Sequence, residues 1–179
     1  MLNVGIINIT GYAGAEIARL VYSHPELNLV SATGRSKAGL NLVEVFPHLE
    51  KTNIKIQEEL SDNVDFVFSA LPHAASAEKL SQYVDSGIPS IDISADFRLK
   101  DLSTYEDWYE ISHPRPELIE QSTYGLPELH KENIKKSKLV ANPGCFPTGG
   151  ILSMSPAVNH DLVEELIIVD SKTGVSGAG

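Results

Sequence analysis

The sequence predicts an α/β fold, a doubly wound parallel sheet followed by the incomplete start of an α+β domain. Three observations carry that expectation. Short apolar runs alternate with helical patterns over residues 1–144. A turn bearing glycines joins the first run to the first helix. After residue 145 a further helix, an apolar run and a glycine loop follow, with too little chain to cover that run.

In chain order, residues 3–9 (NVGIINI) read as a buried strand. A helix continues over 16–23, with Ile17, Leu20 and Val21 on its apolar face, until Pro25 stops it. Residues 27–32 form a second β-rich run and 65–70 (DFVFSA) another. A helix over 74–85 ends at Gly87, and 88–93 and 138–142 are further short strands. Right-handed crossovers between parallel strands place helices on both faces of the sheet. Residues 96–136 have a different texture, polar, aromatic and rich in Pro, and predict a long excursion with short helices beside the sheet. A helix from about residue 146 to 158 is disturbed by Pro156 in its last turn. The run 166–170 reads as a strand of a second sheet, and 174–179 as a glycine loop. The domain division expected is therefore 1–144 and 145–179, the second part truncated.

Composition removes several function classes. With 24 acidic residues against 14 Lys and Arg, net charge −10, the chain lacks the basic face that phosphate neutralisation demands, so nucleic acid is not its partner. No apolar run reaches the ~18 residues of a membrane span. The first nine residues carry no basic region and lead into a glycine turn, which is unlike a signal peptide. The single cysteine excludes an intrachain disulfide and a cysteine-cluster zinc site, and no His/Asp/Glu group has metal-ligand spacing. A reduced, cytoplasmic setting is expected.

Glycines at a strand-to-helix turn let the backbone approach a pyrophosphate while free helix N–H groups face the anion. Gly5, Gly11 and Gly14 have that placement, and Asn8 occupies the remaining glycine position of a Gly-x-x-Gly-x-x-Gly spacing. Asn tolerates positive φ better than other non-glycine residues, so the turn can survive. Such a turn also occurs as plain architecture with no ligand. The end of the second strand bears on the choice. An NAD site places an Asp or Glu there for the ribose 2′-hydroxyl, whereas this sequence has Thr33-Gly34-Arg35-Ser36-Lys37. Arg35 and Ser36 suit a 2′-phosphate, which predicts NADP.

Cys145 follows a strand and a Pro143-Gly144 turn, at or near a helix start. Unpaired N–H groups there favour a thiolate over a thiol. Beside a dinucleotide, a thiolate points to attack on an acyl carbonyl, a thioester, and hydride reduction to an aldehyde. The competing reading is a small, inert residue packed in a strand–helix turn.

Taken together, these stretches resemble the N-acetyl-gamma-glutamyl-phosphate reductases, within the aspartate-semialdehyde dehydrogenase-like group. The resemblance runs through Gly11-Tyr12-Ala13-Gly14-Ala15-Glu16, Ala70-Leu71-Pro72-His73 and Asp92-Ile93-Ser94-Ala95-Asp96-Phe97-Arg98-Leu99. It continues through Tyr124-Gly125-Leu126-Pro127-Glu128, Asn142-Pro143-Gly144-Cys145-Phe146-Pro147-Thr148 and the glycine loop after Lys172. It implies a Rossmann-type domain, then a mixed-sheet catalytic domain, commonly in a homo-oligomer. The implied reaction is NADPH-dependent reduction of N-acetyl-glutamyl 5-phosphate to the semialdehyde with release of phosphate, in arginine biosynthesis. Cys145 is then the nucleophile. Thr10, Gly11, Tyr12, Ala13 and Gly14 hold the dinucleotide, with Leu71 and Pro72 near the nicotinamide and Ser176 and Gly177 near the cofactor or phosphate. Arg98 and Asn142 bind the substrate, unless Arg98 merely pairs with Asp96 or Asp92.

The resemblance has gaps. Asn8 replaces a usual glycine and Phe146 a usual tyrosine. The family's acid–base histidine matches none of His24, His48, His73, His113, His130 or His160, so the 179 residues alone are expected to be inactive or nearly so. Two other readings stand beside the main one. They are a lysine-pathway reductase acting on a carrier-linked acyl phosphate, and a non-catalytic dinucleotide-binding fragment.

Overall fold

A computed structural model describes residues 1–52, 54–164 and 166–178. Its strands are β1 Leu2–Ile7, β2 Leu27–Ala32, β3 Phe66–Ser69, β4 Ser90–Asp92, β5 Ser122–Tyr124 and β6 Leu139–Ala141. They form one parallel sheet in the order β2-β1-β3-β4-β6-β5. The helices are α1 Tyr12–Ser23, α2 Leu42–Val45, α3 Ala75–Asp85, α4 Leu102–Tyr109, α5 Pro127–Ile134 and α6 Cys145–Asn159. This is the Rossmann-type doubly wound arrangement that the alternating runs predict.

Side chains alternate across a strand, and β1 shows how that builds two cores. Val4 and Ile6 join Ala15, Ala18 and Val21 of α1 in one cluster. Ile7 joins Ala77, Leu80 and Val84 of α3 in the other. Gly5 faces this second core, where a Cβ would lie 2.7 Å from Leu60 Cδ1. Full burial of aliphatic residues such as Val4, Ile6 and Leu80 contributes roughly 1.5–3 kcal/mol each.

The structure corrects three expectations. The buried stripe of α1 is Gly14, Ala15, Ala18 and Val21, so that of the expected apolar face Val21 is buried and Ile17 packs at its margin, while Leu20 does not belong to it. Small residues let the helix lie close to the sheet, which rotates Leu20 out to 53% exposure. Second, the segment 96–136 is more than an excursion. It contains α4 and α5 and also supplies β5, the edge strand beside β6. Third, the run 166–170 is not a strand. Leu166 and Ile168 are 79% and 83% exposed, and among the described residues no strand pairs with them. A β-prone run becomes a strand only against a neighbouring edge. In the glycine loop, Val175–Ala178 form a 3-10 turn, while Gly179 lies outside the described residues.

Candidate active site

The chain runs from β1 to β2 on one side and then crosses to β3 on the other, so the strand order reverses between β1 and β3. Ligands of open parallel sheets bind at the carboxyl ends of the strands at such a switch point. A cleft of about 480 Å³ lies there, lined by Asn8, Thr33, Gly34, Arg35, Leu71 and Ala75 among others.

Asn8 does what a glycine would do in the turn. Its φ is 62°, in the left-handed region. Its N–H donates to Thr33 Oγ1 at 3.2 Å and its Nδ2 to the Ala70 carbonyl at 2.9 Å. One residue thus ties together the carboxyl ends of β1, β2 and β3, through its main-chain N–H on one side and its side-chain amide on the other. Gly11 is the N-cap of α1, and among the described residues other than its chain neighbours a Cβ there would meet Asn8 Nδ2 alone, at 3.9 Å. The first main-chain bond of the helix is Ala15 N–H to Gly11 O at 2.9 Å. The N–H groups of Tyr12, Ala13 and Gly14 precede it, and no acid occupies this first turn. Thr10 packs on Gly34, whose Cβ would fall 2.6 Å from Thr10 Cγ2.

Arg35 lies exposed on a 3-10 turn, Arg35–Lys37, and lines the cleft; Ser36 is exposed but is not part of the lining. Leu71 lines the cleft, and Pro72 is exposed next to it. Sequence reasoning missed Glu58 and Glu59, which also line the cleft. A bridge between Thr33 and Gln57 brings them to the end of β2, and Glu59 forms an ion pair with Lys79 of α3. No local pattern in the sequence announces this, because the pairing is between irregular segments.

The nucleophile candidate sits at the carboxyl end of β6. Cys145 is exposed and is the first residue of α6, after Gly144 as N-cap. Thr148 N–H donates to Gly144 O at 3.0 Å, closing the first turn. Arg98 reaches this loop. Its Nε donates to the Asn142 carbonyl and its Nη2 to the Ile93 carbonyl, both at 2.7 Å. A Cβ on Gly144 would lie 3.2 Å from Arg98 Nη1, so glycine lets the guanidinium come up beside the cysteine turn. Pairing of Arg98 with Asp92 or Asp96 does not occur, since both carboxylates have other partners. Among the described residues no carboxylate bridges to Arg98. Asn142 is half-buried, and its Nδ2 donates to the Pro143 carbonyl at 3.1 Å. Ser176 and Gly177 lie in an exposed segment outside the cleft lining, and Gly177 N–H bonds within it to Gly174 O.

Two buried aspartates, Asp92 at the end of β4 and Asp96 in the loop after it, were not picked out as working residues. Asp92 accepts from Ser76 Oγ, Ser94 N–H and Ser94 Oγ. Burial raises its carboxyl above the ordinary range, against the lowering by these serine bonds. A raised value in the fold means that the native state binds the proton more readily. Stability contributed by this group is therefore lower at neutral pH and recovers as pH falls through the raised value towards about 3.9. Asp92→Asn keeps the shape and has no such dependence. Its melting temperature relative to wild type should be most favourable near pH 7 and decline as the buffer is acidified; a flat difference from pH 7 to 4 would contradict the assignment.

Comparison with known proteins agrees with the fold. Residues 3–137 match the semialdehyde dehydrogenase NAD binding domain, and residues 145–179 match the semialdehyde dehydrogenase dimerisation domain. N-acetyl-gamma-glutamyl-phosphate reductase of Dehalococcoides mccartyi is 51% identical over 175 residues, 98% of this chain and 51% of the relative. The protein of the same name from Methanocaldococcus jannaschii is 47% identical over 186 residues, 100% of this chain and 54% of the relative. The chain thus spans about half the length of these curated relatives. Among solved structures, aspartate semialdehyde dehydrogenase II complexed with ASA from Vibrio cholerae superposes with TM-score 0.65 at 16% identity. That match covers 89% of this chain and 47% of the other. Aspartate semialdehyde dehydrogenase with NADP from Candida albicans gives 0.58 at 18% identity, over 91% and 48%. At these identities the likeness concerns the fold.

Proposed function

Because the chain belongs to the semialdehyde dehydrogenase family, we propose that it carries the dinucleotide domain and the nucleophile of an NADPH-dependent acyl-phosphate reductase. The substrate in this reading is N-acetyl-glutamyl 5-phosphate, in keeping with the names of the relatives. Residues 1–144 form the cofactor domain, and residues 145–179 begin a catalytic and dimerising one. The observation that carries the reading is an exposed thiol at the start of α6, directly after a turn that holds an arginine which no carboxylate neutralises among the described residues.

The chemistry follows from that pairing. The Cys145 thiolate attacks the acyl carbon, a C–S bond forms, and the carbon–oxygen bond to the phosphate breaks with its electron pair leaving on phosphate. The positive ends of Arg98 and of α6 stabilise the charge on the departing or bound anion. When bound, the nicotinamide cofactor supplies the hydride that reduces the thioester. Breaking the C–S bond then returns the thiolate and releases the aldehyde. Asn142, whose carbonyl Arg98 bonds, and Gly144, on which Arg98 packs, set where the thiol stands. The turn from Asn8 to Gly14 suits a pyrophosphate, since Gly11 leaves open space and three helix N–H groups have no helical partner.

Acylation tests the reading directly. Incubation with N-acetyl-glutamyl 5-phosphate should release phosphate and leave an acyl adduct on Cys145, visible by intact mass and peptide mapping. Absence of both products would remove the proposal. Cofactor choice is read separately. NADPH should raise the melting temperature more than NADH, and Arg35→Ala should weaken NADPH binding by roughly tenfold to a hundredfold, the worth of a charge-assisted contact. Equal stabilisation by both cofactors, unchanged in Arg35→Ala, would instead point to Glu58 and the ribose hydroxyl.

A further inference from the structure

Asp96 is 0% exposed and is the meeting point of three elements. Its Oδ1 accepts from Ala74 N–H at 2.7 Å and from the Tyr105 hydroxyl at 2.9 Å, and its Oδ2 accepts from Ala77 N–H at 2.7 Å. Ser94 Oγ accepts from Asp96 N–H, and the buried His113 ring meets the Asp96 carbonyl through Nε2 at 2.8 Å. Because His113 Nδ1 accepts from Arg115 N–H, Nε2 carries the ring hydrogen and donates.

What this carboxylate holds is unusual. Ala74 has φ 63° and ψ −53°, and Ala75 N–H donates to the His73 carbonyl at 2.8 Å. A bond from residue i+2 to residue i across a positive-φ residue is a γ-turn of the strained type. An L-residue stays in such a conformation only when its surroundings over-determine it. Here they do so through Asp96, which binds the N–H of the strained residue itself. The turn determines how Leu71, Pro72 and His73 leave β3, and Leu71 and Ala75 line the cleft on either side of it. The same stretch of chain bears Arg98, which bonds to the loop before Cys145.

We propose that Asp96 is a positioning residue, which holds the Ala74 γ-turn and thereby fixes the loop from Leu71 to His73 against the nicotinamide half of the bound dinucleotide. The inference rests on the cofactor reading above. It separates Asp96 from an ordinary helix cap, because a cap would matter to α3 whatever residue stood at position 74.

That difference is what the test exploits. Dissociation constants are measured for NADP and for 2′-phospho-ADP-ribose, which lacks only the nicotinamide, in wild type, Asp96→Asn, Ala74→Gly and the double variant. Asparagine presents a donor where Asp96 has an acceptor, so one N–H loses its partner. Asp96→Asn should weaken NADP binding about tenfold, the effect of one lost bond to a charged acceptor. Binding of 2′-phospho-ADP-ribose should stay nearly unchanged. Glycine adopts positive φ without penalty, so Ala74→Gly alone should keep its affinity and melting temperature. In that background, Asp96→Asn should lose most of its effect on NADP. If Asp96→Asn fails to fold with alanine at 74 yet folds and binds with glycine there, the coupling stands in stronger form. An equal loss of affinity, or of folding, in both backgrounds would overturn the proposal and leave Asp96 a plain cap. If wild type binds neither ligand, the cofactor reading itself fails, a result visible before any variant is made.

Discussion

Exchange of Cys145 for serine is expected to abolish the acyl adduct, with acylation slowed by on the order of 10³-fold or more. A thiolate is a far better nucleophile than an un-ionised hydroxyl, and a serine in its place needs an adjacent general base. Among the described residues none is hydrogen-bonded to the Cys145 thiol as such a base would have to be. The guanidinium of Arg98, which packs on Gly144 in the preceding turn, cannot take a proton. Gly144, Pro143 and Thr148 contribute main-chain and hydroxyl groups already engaged in the turn. Serine fits the exposed first position of α6 without strain, so stability should be preserved and the loss read as chemistry. Phosphate release and adduct mass together check it. Comparable acylation of Cys145→Ser would place the nucleophile elsewhere and end the thioester reading.

The placement of Cys145 at a helix start and the Asn8 turn were legible in the sequence because each depends on local chemistry, whereas Arg98 stood out only through the family resemblance, and its bond to Asn142 spans 44 residues. A strand leads into a turn and a helix start, and the residue types at that junction speak for themselves. β2 and α3 were legible through periodicity over six and eleven residues. β5 was not, since Ser122–Tyr124 is three residues long and sits among prolines and aromatics that read as loop. It becomes a strand because β6 offers an edge. The run 166–170 failed in the opposite direction, with strong β-propensity and no described edge to satisfy it. Burial from a distance also escaped the sequence. Asp92 and Asp96 read as possible partners of Arg98, yet the end of β4 and the loop after it lie against the start of α3, where both are buried on other donors. The strain at Ala74 is likewise a consequence of that packing and has no residue signature, since alanine gives no warning of positive φ.

Gly14 carries the other large effect, and its sign is opposite to helix propensity. Glycine inside a helix ordinarily costs about 1 kcal/mol relative to alanine, so Gly→Ala normally stabilises. At Gly14 a Cβ would sit 2.4 Å from the Asn8 carbonyl oxygen and 2.7 Å from Ile9 Cα. Both are main-chain atoms, so no side chain can rotate to make room. Asn8 is already held at positive φ by the very turn that would have to move. Gly14→Ala must therefore push α1 off the carboxyl end of β1, opening the core of Ala15, Ala18 and Val21 against Val4 and Ile6. A loss of roughly 2–4 kcal/mol follows, in the upper range of overpacking. The N–H groups of Tyr12 and Ala13 would be displaced with the helix, so NADPH stabilisation should vanish even where the variant folds. Gly149 of α6 is the control, for among the described residues a Cβ there meets nothing within 4 Å outside its own helix turn. Gly149→Ala should gain about 0.5–1 kcal/mol. Urea denaturation of the two variants beside wild type reads both signs at once. Wild-type stability in Gly14→Ala would mean that α1 does not rest on the Asn8 turn, and the proposed pyrophosphate cradle would lose its geometry.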